Sequence, residues 1–250
     1  MKVNEWLLNP AERPGAQVTM VMLHHSGGSA SVFVPWARMM PSSIEAWLVE
    51  LPGHGGRMSE AAIDRFQPLA EALATALRPA TSRRYVFFGH SMGAMLAFEV
   101  AKRFARDGVP LPDRLFLSAF KEPANFVKNR IKRAHLNDVQ LLEYIKSLGG
   151  TPLEVLENRD LISMMMPVIR ADYGVLDSYE PMPAPKLACP FTVFGGIADK
   201  GIPFEALSAW DQHTASGSKL IPVPGAHFFL HEHRAKLIRQ ITEDLGLPEA

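Results

Sequence analysis

Tyr85-Val-Phe-Phe-Gly-His-Ser-Met-Gly-Ala-Met-Leu-Ala-Phe-Glu99 is the stretch on which the fold turns. Its apolar run stops at Gly89-His90-Ser91-Met92-Gly93, and Ala94, Met95, Ala97, Phe98 and Ala101 then recur at helical spacing. A strand that becomes a helix at once through Gly-X-Ser-X-Gly is a nucleophile elbow. The serine sits in a sharp turn with its hydroxyl at the sheet edge, and glycine on both flanks lets the backbone segments pack closely. The pentapeptide alone is weak, because three fixed residues each used at roughly 7% match by chance in about one such chain in ten. Its setting between four β-formers and a helical pattern is what makes Ser91 the expected nucleophile.

Outward from the elbow, short β-rich runs alternate with longer helical patterns, the signature of a mostly parallel sheet covered on both faces by helices. Strands are expected over 18–23, 47–51, 85–88, 114–118, 191–194 and 220–223, and helices over 32–40, 63–77, 92–106, 204–213 and 231–245. The alternation breaks once. Residues 121–185 carry helical patterns, including 137–148 and 160–176, joined at Gly149-Gly-Thr-Pro152, with no convincing strand. The chain therefore divides into an α/β core, 1–120 and 186–250, and a helical lid insertion, 121–185, over the carboxyl ends of the strands, where open α/β sheets place their sites. Pro181, Pro183 and Pro185 make a stiff exit from the lid.

Composition bounds the rest. The 250 residues are 47% apolar with zero formal charge, an ordinary globular balance that implies no nucleic acid partner. Met1-Lys-Val-Asn-Glu-Trp-Leu-Leu-Asn-Pro10 has no apolar core of signal-peptide length and no run approaches a membrane span, so a cytoplasmic protein without membrane contact is expected. Cys189, the single cysteine, cannot form an intrachain disulfide and reads as a small buried hydrophobe.

A serine hydroxyl is a poor nucleophile near neutral pH and needs a base, which in turn needs a carboxylate to orient it; in this fold the order is serine, acid, histidine. Of nine histidines, His24, His25 and His54 come too early. His227 lies in the loop just after the last strand and is the expected base; His231 and His233, expected in the next helix, are the alternatives. Asp199 lies in the loop after the penultimate strand, within reach of a histidine on the following loop, and is the expected acid. Asp172 and Asp177 fall in a lid helix and Asp64 begins a helix, so solvation or capping explains them more simply. The oxyanion donors are expected to be the backbone N–H of Met92 and that of Ser26 in the glycine-rich Leu23-His-His-Ser-Gly-Gly-Ser29, with Gly27 as the alternative to Ser26. That loop lacks the spacings of a phosphate-binding glycine loop.

Taken together, His25-Ser-Gly-Gly-Ser29, Leu51-Pro-Gly-His-Gly-Gly-Arg57, the elbow followed by Ala-Phe-Glu99, Leu148-Gly-Gly-Thr-Pro152, Arg170-Ala-Asp-Tyr173 and Gly225-Ala-His-Phe-Phe229 resemble the type II thioesterases. These are the stand-alone editing hydrolases of nonribosomal peptide and polyketide synthesis, within the α/β-hydrolase superfamily. The resemblance covers about residues 18 to 230. It implies an α/β-hydrolase fold and a cytoplasmic, monomeric enzyme of secondary metabolite biosynthesis. Its substrates would be acyl groups on the phosphopantetheine arm of acyl or peptidyl carrier proteins, and it would use no cofactor and no metal of its own. The family often has glycine at Ala226, an acidic residue at Ile197 and arginine at His54.

Lys128-Asn-Arg-Ile-Lys-Arg133 carries four basic residues in six, and carrier proteins tend to be acidic; docking and a solvated lid face both account for it. Met164-Met-Met166, Met92 and Met95 suit either an adaptable acyl pocket or simple packing on the sheet. A free-standing acyl-CoA, medium-chain acyl or small-ester hydrolase would use the same triad, and a receptor on a dead hydrolase fold is the reading from another class.

Overall fold

The computed structural model describes residues 2–149 and 156–248. Gly150-Thr-Pro152, part of the expected lid junction, lies outside the described residues. Eight strands form one sheet: β1 Lys2–Asn4, β2 Leu7–Leu8, β3 Val18–Leu23, β4 Ile44–Val49, β5 Tyr85–His90, β6 Leu115–Ser118, β7 Phe191–Gly196 and β8 Ser218–Val223. Their order is β1-β2-β4-β3-β5-β6-β7-β8, with β3 to β8 parallel and β1 and β2 joined antiparallel at the β4 edge. The chain steps outward from β3 to β4 and then returns to the other side of β3 as β5. Loops leaving β3 and β5 therefore diverge at a switch point, where a crevice forms.

Side chains alternate along each strand, and the alternation sorts the core into two clusters. Val21, Leu23 and Phe87 face α2 (Phe66–Leu77) and α3 (Met92–Arg106), while Met20, Met22, Val86 and Phe88 face Phe33, Trp36 of α1 (Val34–Met39) and the last helix. The segment between β6 and β7 holds α4 (Pro123–Lys128), α5 (Asp138–Leu148) and α6 (Arg159–Asp177), and the chain closes with α7 (Arg234–Asp244). Asn137 caps α5 in a reciprocal capping box with Gln140, and Gly149 ends the helix in the left-handed region at φ 72°.

The helical segment is anchored unevenly. Only Leu141 of α5 is buried, and Leu161 and Met164 in the first half of α6 are exposed. The second half is pinned: Ile169, Asp172, Tyr173, Val175 and Leu176 are buried, the Phe66 N–H donates to Ser178 Oγ at 3.0 Å, and the Tyr179 hydroxyl donates to Glu99 at 2.7 Å.

The structure departs from the expected elements in several places, and the last helix starts at Arg234 where 231 was expected. The hairpin β1–β2 was not anticipated. β4 starts three residues earlier than expected, because Glu45 sits inside the strand with its charge met by Asn9, Trp47, Arg83 and the Arg13 N–H. Residues 204–213 are a 3₁₀ helix, not an α-helix.

At the elbow Ser91 takes φ 53° and ψ −122°, strained for a residue with a Cβ. Both flanking glycines are compelled by close approach: a Cβ on Gly89 would enter the Gly93 carbonyl, and one on Gly93 would enter the Leu23 carbonyl. Since both obstacles are backbone, Gly93→Ala is expected to cost at least about 4 kcal/mol or to prevent folding. Urea unfolding of the variant within about 1 kcal/mol of wild type would contradict that packing.

Candidate active site

The three residues of the expected triad converge above the carboxyl ends of β5, β7 and β8. Ser91 Oγ lies 3.1 Å from His227 Nε2, and His227 Nδ1 lies 2.7 Å from Asp199 Oδ2. Because a carboxylate only accepts, the proton of neutral His227 belongs on Nδ1, leaving Nε2 free to take the serine proton. The other Asp199 oxygen, Oδ1, accepts the N–H groups of Gly201 at 2.9 Å and Ile202 at 3.1 Å, which fixes the carboxylate on its loop. Asp199 and His227 are buried and Ser91 is half-buried, a partly desolvated line open at the nucleophile end. Helix α3 begins at Met92, so its unpaired first N–H groups and the positive end of its dipole face the space in front of Ser91.

The alternatives separate on position. His231 lies before α7 with its ring stacked on Phe228, and His233 stands at the N-cap of α7; neither is inside the helix as expected, and neither bonds Ser91. Asp177 is half-buried and accepts the N–H groups of Arg133 and Ala134, both at 2.8 Å, so it ties the loop between α4 and α5 to the end of α6 and neither caps a helix nor stands in solvent as expected.

Asp172 corrects the sequence reading. It is 1% exposed, and its Oδ2 accepts the Gly27 N–H at 2.6 Å and a bond from His54 Nε2 at 3.1 Å. His54 Nδ1 in turn lies 2.9 Å from the Pro52 carbonyl. With an acceptor at each nitrogen, both bonds are made only by the doubly protonated ring. Burial acts against that charge, but the Asp172 bond and charge, the Pro52 carbonyl and Glu50 outweigh it and raise the His54 pKa. Since the Gly27 N–H is committed to Asp172, Ser26 is the better candidate of the two for the second oxyanion donor. A second carboxylate secures the same loop further on: Glu50 accepts from Ala30 N–H at 3.0 Å and from Gly56 N–H at 3.2 Å. No spacing rule links these residues, whose partners lie 118 and 145 positions away for Asp172. The sequence signals are a carboxylate in an otherwise apolar helix face and the place of Asp172 and His54 within two of the motifs that carry the family resemblance.

Other histidines around the site are biased toward the neutral form. Burial first of all lowers the pKa of His24, His25, His90 and His231, that of His25 to about 4, and the neighbouring histidines lower the first three further. Groups of this kind bind protons more readily when unfolded, so their stabilising contribution is present above the ordinary histidine value of 6.5 and is lost as pH falls toward the folded values. His54 runs the other way, contributing below 6.5 and losing its contribution as pH rises through its raised value. With four groups against one, urea unfolding should show lower stability at about pH 5.5 than at pH 7, a window above ordinary carboxylate titration. Equal or greater stability at the lower pH would refute this.

A largely apolar pocket of about 450 Å³ adjoins the oxyanion loop between Val32, Met58, Leu161, Met164, Met165 and Val168. The methionines divide: Met164 and Met165 line this space, whereas Met92, Met95 and Met166 are buried in the core. The basic run also divides. Lys128 and Lys132 are exposed, but Arg130 bonds the carbonyls of Leu176 and Tyr179 and the Glu180 carboxylate, and Arg133 lies over the Tyr144 ring at 4.0 Å. Cys189 is buried, its thiol pushed up to about 12 chiefly by desolvation, as befits an inert hydrophobe. Among the described residues no cluster of metal-ligating side chains occurs, and no helix is long and apolar enough to cross a membrane.

Comparison with known proteins identifies the family and the fold. The model of the thioesterase domain matches residues 18–245. The gramicidin S biosynthesis protein GrsT of Aneurinibacillus migulanus is 32% identical over 247 residues, 98% of this chain and 96% of that protein. Among solved structures, the type II thioesterase BorB of the borrelidin biosynthetic cluster superimposes with a TM-score of 0.87 at 32% identity, covering 97% of this chain and 98% of the other. The RedJ thioesterase of the prodiginine pathway in Streptomyces coelicolor gives 0.85 at 35% identity, covering 94% and 88%. The sheet with its flanking helices is an α/β-hydrolase fold, and the chain belongs to the thioesterase domain family.

Proposed function

We propose that this chain is a type II editing thioesterase, which hydrolyses acyl groups from the phosphopantetheine arm of carrier proteins in nonribosomal peptide or polyketide synthesis. The observation that carries the reading is the Ser91–His227–Asp199 line, 3.1 and 2.7 Å between successive partners, in a chain of the thioesterase family. Ser91 Oγ attacks the thioester carbonyl as His227 Nε2 takes its proton. The oxyanion is met by the N–H groups of Met92 and Ser26, and Asp199 stabilises the imidazolium. Collapse breaks the C–S bond, and His227 returns the proton to the departing thiolate. Water, activated by His227, then attacks the acyl-serine; the acid leaves and Ser91 recovers its proton. The phosphopantetheine arrives with the substrate protein, so no bound cofactor or metal takes part.

Residues 121–185 form the lid in this reading. Its exposed middle part, α5 and the start of α6, is the portion suited to opening, and the pocket edged by Met164 and Met165 suits an acyl chain. Lys128 and Lys132 are the basic side chains left to meet an acidic carrier protein; Arg130 is occupied within the chain.

The test compares kcat/KM for an acyl carrier protein, the matching acyl-CoA and a p-nitrophenyl ester. The carrier protein is expected to be preferred, and Lys128→Glu with Lys132→Glu to raise its KM by about three- to tenfold while leaving ester kinetics unchanged. No advantage of the carrier protein over the minimal ester would remove the editing role. Equal effects of the charge reversals on both substrates would remove the docking surface.

A further inference from the structure

Resting on the acyl-transfer reading above, we infer that Asp172 is a positioning residue for the oxyanion loop, tying it to lid helix α6 and, through His54, to the loop after β4. The second half of α6 touches the oxyanion loop twice on one face. Ile169 lies over Gly27, where a Cβ would come 3.1 Å from its Cγ1 and where a φ of +72° disfavours any side chain, and one turn later Asp172 accepts the Gly27 N–H at 2.6 Å. Residues three apart share a helix face, so both contacts come from a single stripe. The same Asp172 oxygen is bonded by His54, itself fixed on the Pro52 carbonyl, while Glu50 holds the loop at Ala30 and the neighbouring turn at Gly56. The peptide between Ser26 and Gly27 is thus set by a bond on its N–H, and Ser26 lies directly before it.

A buried carboxylate with both bonds on one oxygen is costly unless its partners stay in place. The pair therefore holds the loop, the second loop and α6 in one arrangement. An oxyanion donor must lie within a few tenths of an ångström of its target, and misplacement by about 1 Å costs on the order of a hundredfold in rate. Asp172 touches no reacting atom; its effect passes through Gly27 to the Ser26 N–H.

Asp172→Ala and Asp172→Asn, assayed on the p-nitrophenyl ester with circular dichroism to verify folding, provide the test. The alanine variant should lose about 30- to 100-fold in kcat, with KM within about threefold of wild type. Asparagine keeps an acceptor oxygen for the Gly27 N–H and should recover at least about tenfold of that loss. Wild-type kcat in the alanine variant, a loss confined to KM, or asparagine no better than alanine would each overturn the inference. Should Asp172→Ala not fold, Asp172→Glu decides. It keeps the charge for His54 but carries the carboxylate one methylene past Gly27, so the same fall in kcat is expected and an unchanged kcat overturns the proposal. Wild-type hydrolysis of the small ester is the common reference. Its absence would overturn the acyl-transfer reading instead, and loss of carrier-protein preference alone would leave the Asp172 result standing.

Discussion

Ser91→Ala should lower kcat on any acyl substrate by about a millionfold while leaving the fold intact, the scale seen where a triad acts as a unit. The expectation follows from what Ser91 does and does not support. Among the described residues its Oγ bonds only His227 Nε2, and the backbone bond that fixes the elbow, from Ser91 N–H to the Ser118 carbonyl at 2.8 Å, is untouched by the change. Alanine inherits the strained φ of 53° without a new clash, because a Cβ is already present. Stability should therefore stay within about 3 °C of the wild-type Tm. Residual hydrolysis then reflects oxyanion stabilisation and binding alone. The paired measurements are single-turnover hydrolysis and fluorophosphonate labelling, which should vanish together. A variant retaining more than about 1% of wild-type kcat would mean that another group is the nucleophile.

Why this serine was legible while other parts of the site were not comes down to the range of the constraints. Gly89 satisfies a local demand, since a Cβ there would strike the Gly93 carbonyl within the turn, and Gly93 is excluded a Cβ by the Leu23 carbonyl of the adjacent strand, but the fixed spacing of the two glycines about Ser91 makes the motif readable within five residues. His227 and Asp199 were legible because topology does the work: neighbouring parallel strands β7 and β8 bring their following loops together wherever the loop lengths allow. Asp172 failed that kind of reading. Its role depends on Gly27 and His54, on different loops that meet only once the sheet is assembled. Glu45 failed likewise: a charge inside a strand pattern looks like a boundary until its distant partners are known. The basic run misled in the opposite sense. Composition alone counts Arg130 as a surface cation, yet its side chain is 11% exposed and tethers the chain that leaves α6. Two-residue β2 carries too few positions for any alternation to register.

Asp199→Asn is the second large effect, and its direction is set by the two bonds that Asp199 makes on its own loop. Oδ1 accepts from Gly201 and Ile202, so the asparagine carbonyl oxygen is held there and its NH₂ group is turned toward His227. An N–H facing Nδ1 requires that nitrogen to accept, which moves the ring proton to Nε2, the atom that must take the proton of Ser91. The base is then present in the wrong tautomer, and no carboxylate remains to stabilise the imidazolium. A fall in kcat of about ten-thousandfold with KM little changed is expected, the magnitude seen when the same substitution is made in a serine protease triad. Asp199→Ala separates this from a structural role. It imposes no tautomer but removes the acceptor of Gly201 and Ile202, so it should lower Tm as well as kcat, whereas asparagine lowers kcat alone. A thermal loss in Asp199→Asn equal to that in Asp199→Ala would show that the loop bonds, and not the tautomer, carry the effect. Near wild-type kcat in the asparagine variant would move the acid of the triad to another residue.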